Sequence, residues 1–501
     1  MSISLLLEMA SSANPDRTAL VSDETRWSTS ELSALADGGA GVIAASGARH
    51  VAYVGAGAAM LPLLLFASAR AGVPVTPLNY RLSEAGLREL IDRLPEPLVI
   101  VDPEYAAVVP GMSSTQFVAA ARTAEPAAQF PDPDSVAVVL FTSGTTSAPK
   151  AVELTHNNMT SYVTGTVEFD SAEPGDAALI CVPPYHIAGV GAALSNLYAG
   201  RTMVYLPQFD AAEWVRLVRH ERVSSATVVP TMLDRIVTVL SDHPDGADAL
   251  PSLRTLAYGG SKVALPLVRK AIELLPGVGL VNAYGLTETS STIAVLTPDD
   301  HRTASASDDD AVTRRLGSVG HVVPGVEVQI RNADGTVLGP HETGELYVRG
   351  EQVSGRYTGI GSVLDADGWF PTRDIAMLDA EGYLFIGGRS DDTIIRGGEN
   401  IAPAEIEDVL VEHPEVRDCA VIGLDDAQWG QIIVAVVVPE HGAAPSGESL
   451  REFVRGRLRG SRTPDRVVFR DELPTNATGK VLRRDLVRDL SSISNESKEP
   501  A

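Results

Sequence analysis

The chain has 501 residues, of which 44% are hydrophobic and 21% are charged, a composition typical of globular proteins. Because one hydrophobic core rarely supports this length, we expect at least two domains. The formal net charge of −25 argues against a nucleic-acid-binding protein and against binding to an anionic membrane surface. A polyanionic ligand would therefore have to be attracted by local positive charge.

The cysteines and the apolar segments indicate an intracellular protein. Cys181 and Cys419 lie far apart inside apolar runs, which predicts buried free thiols in a reducing compartment. The N-terminus lacks the basic region and cleavage site of a secretory signal. The most apolar stretch, residues 58–71, contains Pro62 and Arg70 and is too short to span a bilayer. We expect a cytoplasmic protein without a transmembrane segment.

Residues 1–136 alternate helical periodicity with short apolar strands. Helices are predicted at 28–45 (with Ser28 or Thr29 as N-cap), around 63–65 and at 82–94, and strands at 50–54, 73–77 and 98–101. Strands separated by helices indicate βαβ units around a mostly parallel sheet. The same alternation, beginning with a helix that Thr155 would cap, continues to about residue 289.

The pattern changes beyond residue 289. Residues 298–314 are acidic and rich in Ser and Ala, and we expect them to form a mobile loop. Short strands between Asp-Gly and Glu-Gly turns predict a β-rich unit at 322–385. The composition changes again near 387–392, and the polar residues 491–501 are expected to be disordered.

These patterns predict an α/β fold class with two domains. The large N-terminal domain, residues 1–388, would consist of βαβ-type sheets plus the small β-rich unit. A small α+β C-terminal domain, residues 391–490, would follow it.

The segment 138–152, VVLFTSGTTSAPKAV, predicts a phosphate-binding loop. It places a hydroxyl- and glycine-rich turn between two short strands, and the turn ends in Lys150. Backbone amides and hydroxyls in such a turn can converge on an anion, and the lysine adds charge. The turn differs from the P-loop GxxxxGK[ST], because Pro149 replaces the second glycine and Ala151 the magnesium-binding hydroxyl. The alternative is an exposed hairpin turn rich in Ser and Thr.

Five further motifs follow in a defined order. They are PPYHIAG (183–189), YGLTE (284–288), GWFPTRD (368–374), GGRSDDTIIRGGENIAPAEIE (387–407) and PTNATGKVLRR (474–484). With TSGTTSAPK (142–150), they make the chain resemble the adenylate-forming superfamily of acyl- and aryl-CoA synthetases, luciferases and peptide-synthetase adenylation domains. The resemblance covers essentially the whole chain and is strongest to stand-alone bacterial acyl-CoA synthetases of the fatty-acid type.

The resemblance implies an AMP-forming carboxylate–CoA ligase that uses ATP, Mg²⁺ and CoA. A carboxylate would attack the α-phosphorus of ATP and release pyrophosphate, and the CoA thiol would then displace AMP from the acyl-adenylate. Positioning and charge neutralisation dominate such transfers. The small domain would rotate between the two half-reactions, and a homodimer is expected from the family.

The resemblance also implies roles for individual residues. The phosphates would be held by Thr142, Ser143, Gly144, Thr145, Thr146 and Lys150. The rest of the nucleotide site would consist of Tyr284 and Gly285 at the adenine, Thr287 at the α-phosphate, Glu288 at Mg²⁺, and Asp374 with Arg389 at the ribose. The remaining sites would be Lys480 between the carboxylate and the α-phosphate, Asp391 at the hinge, Gly398 in the pantetheine tunnel, and His186, Gly189, Gly259 and Gly260 at the acyl pocket.

Each role has a structural alternative. Lys480 could be a solvated surface lysine, His186 a buried histidine with its hydrogen bonds satisfied, Glu288 a local cap and Asp391 part of a turn. Residues 451–488 carry 10 Arg and 1 Lys against 5 acidic residues. This excess would attract ATP or the 3′-phosphate of CoA, or it would form a solvated face, as the helical spacing of Arg451, Arg455 and Arg459 suggests.

Three positions depart from the family pattern. Ser147 and Ala151 replace glycines of the phosphate loop, and Arg373 stands where a glycine commonly precedes the ribose-binding aspartate. None of these changes removes a catalytic group, so we expect an active enzyme.

Two other functions are compatible with the same motifs. One is an acyl-AMP ligase that loads a carrier-protein thiol, and the other is a non-catalytic nucleotide-binding homologue. An amino-acid-activating domain is disfavoured, because no acidic residue near 185–192 could hold an α-amino group. Gly189, Gly191, Gly259 and Gly260 suggest room for an acyl chain or a ring, but the sequence does not identify the acid.

Overall fold

The computed structural model describes residues 1–23, 25–127, 131–142, 149–242, 250–397, 399–426, 428–458, 460–476 and 479–496, with the side chains of 400 and 492–496 left out. Within these ranges the α/β fold class is confirmed. Cys181 and Cys419 are buried free thiols, as predicted. No described helix is long and apolar enough to cross a membrane.

The helices begin largely where capping residues predict. Ser28 and Thr155 are both N-caps, each within a capping box. The helices are α1 (Ile3–Ala13), α2 (Thr29–Ser46), α3 (Met60–Ala71), α4 (Glu84–Asp92), α5 (Ser114–Ala121), α6 (His156–Thr166), α7 (Ile187–Ala199), α8 (Ala211–His220), α9 (Pro230–Asp242), α10 (Leu265–Leu274), α11 (Pro298–Ala306), α12 (Asp310–Thr313), α13 (Pro403–Leu410), α14 (Gly447–Arg455) and α15 (Arg483–Glu496).

The strands are short, and most are apolar on at least one face. They are β1 (Thr18–Ser22), β2 (Thr25–Ser28), β3 (His50–Val54), β4 (Val75–Leu78), β5 (Pro97–Val101), β6 (Met112–Ser113), β7 (Val136–Thr142), β8 (Lys150–Thr155), β9 (Ala177–Ile180), β10 (Thr202–Tyr205), β11 (Ser225–Val228), β12 (Thr255–Gly259), β13 (Gly279–Leu286), β14 (Ser291–Leu296), β15 (His321–Val322), β16 (Val326–Arg331), β17 (Gly344–Gly350), β18 (Arg356–Tyr357), β19 (Gly361–Ser362), β20 (Phe370–Leu378), β21 (Leu384–Arg389), β22 (Ile394–Arg396), β23 (Glu399–Ile401), β24 (Val416–Asp426), β25 (Gly430–Pro439) and β26 (Arg466–Phe469).

Two large sheets enclose the main core. The 9-stranded sheet has the order β15-β14-β13-β12-β11-β9-β10-β1-β2, and the 8-stranded sheet has the order β19-β18-β8-β7-β4-β3-β5-β6. Helix α3 is buried along its whole length, because it packs on β3, β4 and β7 of one sheet and on α7, which packs on β9 and β10 of the other. The βαβ units predicted for residues 1–289 therefore form two sheets with helices between them.

Two smaller sheets carry the rest of the chain. The predicted β-rich unit is the sheet β16-β17-β20-β21, and the C-terminal sheet has the order β23-β22-β25-β24 with β26 paired to β25. A one-turn 3₁₀ segment at Ser390–Asp392 connects β21 to β22. Lys262 forms an ion pair of 2.6 Å with Asp408 of α13, so the C-terminal part contacts the large one. The domain boundaries at 388 and 391 remain a prediction.

The mobile loop predicted at 298–314 is wrong. The segment forms α11 and α12, with Thr297 as an N-cap in a capping box with Asp300 and a proline in the first turn. His301 of α11 is buried, donates from Nδ1 to the Thr297 carbonyl (2.8 Å) and accepts from the Tyr258 hydroxyl at Nε2 (2.8 Å). Tertiary contacts through this histidine stabilise a helix that the acidic composition concealed.

The last helix runs further than the sequence predicts. Helix α15 continues through residues 491–496, and its Leu486 and Leu490 pack against β24, while the rest of the predicted tail, 497–501, lies outside the described residues. Helix α14 ends at Arg455, and Arg459 lies outside the described residues.

Candidate active site

The predicted phosphate-binding hairpin is formed by β7 and β8. Thr142 and Lys150 face each other as the last residue pair of this antiparallel ladder, and the Thr142 hydroxyl donates to the Lys150 carbonyl (3.4 Å). The Lys150 ammonium lies 5.5 Å from the centre of the Tyr357 ring. The predicted phosphate-loop residues Ser143, Gly144, Thr145 and Thr146, together with Ser147, lie outside the described residues.

Glu288 follows β13, in the one-turn 3₁₀ segment Thr287–Thr289. The Tyr357 hydroxyl donates to its Oε1 (2.9 Å), and the Ser354 amide donates to its main-chain carbonyl (2.8 Å). Within the described part of the chain, no hydrogen bond reaches Glu288 Oε2. The alternative that Glu288 is a local cap is wrong, since both partners come from a distant segment.

The turn behind Glu288 is buried and tightly hydrogen-bonded. The Thr289 hydroxyl accepts from the Leu286 amide (3.0 Å), and the Gln352 side-chain amide donates to the carbonyls of Thr289 and Thr292 (2.9 Å each). Ser291 has φ 116°, a conformation that a non-glycine residue rarely adopts. A Cβ at Gly285 would lie 1.7 Å from the Ser291 carbonyl oxygen, so this position of the YGLTE motif requires glycine. The hydrogen bonds hold a strained backbone that presents Thr287 and Glu288.

Asp374 lies at the centre of the predicted ribose site. It is 4% exposed, it is paired with Arg389 across β20 and β21, and Arg389 Nε lies 2.8 Å from Asp374 Oδ1. The Tyr284 hydroxyl donates to Asp374 Oδ2, so three predicted nucleotide residues meet. Burial raises the pKa of Asp374, and the positive charges of Arg389 and Lys480 oppose that rise.

The backbone conformation at Arg373 explains why a glycine commonly precedes this aspartate. Its φ is 66°, in the left-handed region that costs a non-glycine residue about 1–2 kcal/mol. Its side chain is largely exposed and approaches Glu345 to 3.8 Å. The cation therefore stays near the site at the cost of backbone strain.

Lys480 lies next to an antiparallel bridge between Thr475 and Val481. The Asn476 amide donates to the Lys480 carbonyl (2.9 Å), and Gly479 has φ 75°. A Cβ at Gly479 would lie 2.8 Å from Thr231 Cγ2 of α9, so the turn lies directly on the large part of the protein.

The surroundings of Lys480 distinguish it from an ordinary surface lysine. Loss of hydration lowers the pKa of Lys480, and the charge of Arg389 lowers it further, while Asp392 and Asp374 act in the opposite sense. The side chain is accessible to solvent, yet it lies within electrostatic range of the predicted ribose site. The structure thus places Lys480, in the last motif of the chain, near Asp374, which lies more than a hundred residues earlier in the sequence.

His186 precedes α7, and among the described residues one of its ring nitrogens has no hydrogen-bond partner. Its Nε2 is buried without a hydrogen-bond partner among the described residues, and so is the hydroxyl of the neighbouring Tyr185. The ring centres of His186 and Tyr185 lie 4.6 Å apart. Burial lowers the pKa of His186 to about 4, and the charge of Arg81 adds to this effect. The described residues therefore do not satisfy this imidazole, which favours a functional role for His186 over a purely structural one, and that role stays a prediction.

Backbone packing or backbone conformation requires glycine at three positions assigned to the acyl pocket. A Cβ at Gly189 would lie 2.6 Å from the Pro183 carbonyl oxygen, and one at Gly259 would lie 2.2 Å from that of Ala283. Gly260 has φ 86°, which itself requires glycine. At Gly189 and Gly259 the backbone packing by itself requires glycine, because a side chain there would point into main chain. That these glycines line the acyl pocket stays a prediction.

The remaining predicted residues are placed less completely. Asp391 is exposed in the 3₁₀ segment between β21 and β22, and its hinge role stays a prediction. Gly398 lies outside the described residues. Several arginines of the basic region pair with carboxylates, which favours a structural role for them; Arg462 lies 2.6 Å from Glu399, and Arg483 lies 2.5 Å from Glu407.

Sequence reasoning missed Tyr357 and Gln352. Both lie in the segment that follows β17, and both contact the turn that carries Glu288. A tyrosine between two glycine-containing turns offers no chemical signal by itself, so its role is visible only in the contacts.

Comparisons with known proteins agree with this geometry. The model of the "AMP-binding enzyme" family matches residues 7–358, and that of the "AMP-binding enzyme C-terminal domain" matches residues 405–480. The chain is 32% identical to the indoleacetate–CoA ligase of Aromatoleum aromaticum, over 98% of each chain. It is 34% identical to a feruloyl-CoA synthase of Amycolatopsis sp., over 95% of this chain and 96% of that one. Among solved structures, ATP-bound MatB from Rhodopseudomonas palustris has a TM-score of 0.87 at 27% identity, over 98% of this chain and 100% of that one.

Proposed function

Because this chain belongs to the family of AMP-binding enzymes, we propose that it activates a carboxylic acid with ATP and transfers the acyl group to CoA. In the first step a carboxylate oxygen bonds to the α-phosphorus while the bond to the pyrophosphate oxygen breaks. In the second step the CoA sulfur bonds to the acyl carbon, AMP leaves and the thiol proton passes to solvent. The observation that carries the proposal is the convergence of Glu288, Asp374 and Lys480 from three distant motifs.

The residues of the nucleotide site fit the first step. The buried Asp374 carboxylate can accept hydrogen bonds from the ribose hydroxyls, and Arg389 keeps it oriented. Tyr284 lies beside it, with its hydroxyl on Asp374. In this proposal Lys480 lies between the attacking carboxylate and the α-phosphate, where its positive charge opposes the negative charge that develops on the phosphate oxygens; such a group contributes a few kcal/mol to transition-state stabilisation.

Glu288 fits a magnesium ligand in this proposal. Its Oε1 is held by Tyr357, and no described residue donates to Oε2, so one carboxylate oxygen is available to a hard cation. When Mg²⁺ is bound, it neutralises charge on the ATP phosphates and on the departing pyrophosphate. Lys150, at the end of the phosphate hairpin, adds a second positive charge from the protein itself.

For the acid, we propose a compound that carries an aromatic ring in preference to a straight-chain fatty acid. Two relatives of similar length are named for indoleacetate and ferulate, both of which contain such a ring. In this chain the open His186 Nε2 adjoins the Tyr185 ring, and Tyr162 lies close to Gly191. If these side chains line the acyl pocket, they would favour ring–ring contacts, and the imidazole nitrogen would hydrogen-bond a ring substituent.

The test is pyrophosphate release from ATP and Mg²⁺ with indole-3-acetate, ferulate, benzoate, hexanoate and palmitate, each with and without CoA. CoA-dependent turnover with a ring-bearing acid supports the proposal in full. Turnover with palmitate alone would refute the aromatic preference and leave the ligase intact. A single burst that CoA does not affect would instead indicate transfer to a carrier-protein thiol.

A further inference from the structure

We propose that Tyr357 is a positioning residue that orients the Glu288 carboxylate and the Lys150 ammonium together, so that metal and phosphates are received by one prearranged unit. The inference rests on the proposed function of Glu288 and Lys150, and it assigns to Tyr357 a role that its sequence context does not suggest. One side chain contacts both groups: the hydroxyl donates to Glu288 Oε1 (2.9 Å), and the ring lies 5.5 Å from Lys150 Nζ.

The backbone fixes the orientation of Tyr357. Tyr357 in β18 pairs with Val152 in β8, and the next amide, that of Thr358, donates to the Ala151 carbonyl (2.9 Å). These bonds attach the tyrosine to the same hairpin that presents Lys150. Because the ring is only 8% exposed, it has little freedom to leave this position.

The same segment also holds the main chain of Glu288. The Ser354 amide donates to the Glu288 carbonyl (2.8 Å), and Gln352 donates to the carbonyls on either side of the strained Ser290–Ser291 turn. Residues 352–357 therefore bind the Glu288 turn through both main chain and side chain. The phosphate hairpin and the metal-binding turn are thus connected through one short segment.

Tyr357 explains how the Glu288 carboxylate and the Lys150 ammonium can lie close together without forming an ion pair with each other. Lys150 forms no ion pair with any described residue, although Glu288 contacts the same tyrosine. The phenol satisfies one oxygen of the carboxylate, and the ring face attracts the ammonium, so both groups are held before a ligand enters. Without the phenol, the carboxylate could rotate, and Lys150 would lose its fixed position.

The principal variant is Tyr357→Phe, which keeps the ring but removes the hydroxyl. Loss of a hydrogen bond to a metal-ligating group typically costs about 10- to 100-fold in metal affinity. We expect that loss in Mn²⁺ binding, measured by electron paramagnetic resonance of free Mn²⁺ in the presence of α,β-methylene-ATP. Tyr357→Leu also removes the ring, and we expect it to raise the KM for ATP in addition.

Two comparisons separate positioning from general stability. Tyr383→Phe is the matched control, because the Tyr383 hydroxyl donates to the Asp300 carboxylate (2.7 Å) away from the site, and we expect unchanged Mn²⁺ binding. Thioester formation from the purified adenylate of the best acid should change less than twofold in Tyr357→Phe, since that half-reaction does not use the metal-bound phosphates.

The outcomes distinguish this inference from the proposed function. Weakened Mn²⁺ binding in Tyr357→Phe, with thioester formation preserved, would support the positioning role. Mn²⁺ binding equal to that of the wild type, or an equal loss in both half-reactions and in Tyr383→Phe, would overturn it. A wild-type protein that forms no adenylate with any acid would refute the proposed function instead.

Discussion

Replacing Arg389 by Met tests how much the buried ion pair with Asp374 stabilises the folded protein. Asp374 is 4% exposed, and the Arg389 Nε lies 2.8 Å from its Oδ1, so the variant leaves a buried carboxylate without its cation. Removal of one partner from a fully buried ion pair costs about 3–5 kcal/mol. The Arg389 side chain is 32% exposed, and the Tyr284 hydroxyl still donates to Asp374 in the variant. We therefore expect a smaller loss, about 2–3 kcal/mol of the free energy of unfolding at pH 8.

The dependence on pH has a definite sign. The pKa of Asp374 is already raised by burial, and loss of Arg389 removes an attraction that lowers it. A carboxyl group whose pKa is higher in the folded than in the unfolded state destabilises the protein when ionised, and this effect disappears as the pH falls through the folded pKa. The difference between Arg389→Met and the wild type should therefore shrink as the pH is lowered from 8 towards the ordinary carboxyl pKa of about 4.

Equilibrium unfolding in urea, followed by tryptophan fluorescence, measures this difference. The matched control is the double variant Arg389→Met with Asp374→Asn, which removes the charge that the single variant strands. We expect the double variant to recover at least half of the lost free energy of unfolding. Additive losses, or a difference that does not depend on pH, would refute the reasoning.

Three further predictions concern separate parts of the site. Gly479→Ala places a Cβ against Thr231 at φ 75°, so adenylate formation, measured by pyrophosphate exchange, should fall roughly 10-fold; an unchanged rate would show that this contact is not needed. Lys480→Ala should lower adenylate formation about 100- to 1,000-fold while sparing thioester formation from supplied acyl-AMP, and equal losses in both would contradict its role. Burial lowers the pKa of His186 to about 4, so this residue destabilises the folded protein as the pH falls below about 6.5. Between pH 7 and 5, the free energy of unfolding measured in urea should therefore fall by about 2 kcal/mol less in His186→Leu than in the wild type. Equal falls in the two proteins would contradict the burial of His186.

The main chemical groups could be predicted from the sequence because each belongs to a short local motif. Glu288, Asp374 and Lys480 each lie in a short continuous motif, and the structure brings both Glu288 and Lys480 within electrostatic range of Asp374. Helix starts such as those at Ser28 and Thr155 were also readable, because a capping box involves only four consecutive residues.

Contacts between distant segments could not be predicted in the same way. The sequence predicts a mobile loop at 298–314, because Tyr258, the stabilising partner of His301 in α11, lies 43 residues away. The packing that requires glycine at positions 189 and 259 is equally hidden, because the atoms that exclude a side chain there belong to Pro183 and Ala283. Composition carries no information on which backbone approaches which.

By itself, the sequence determined the family, the order of the motifs and the charged groups available for chemistry. Only the tertiary structure decided how those groups are held: the open Nε2 of His186, the strained φ of Arg373 and the hydrogen bond from Tyr357 to Glu288, 69 residues away. The physical reason is that covalent spacing specifies local conformation, whereas the orientation of a side chain depends on neighbours that only packing brings together.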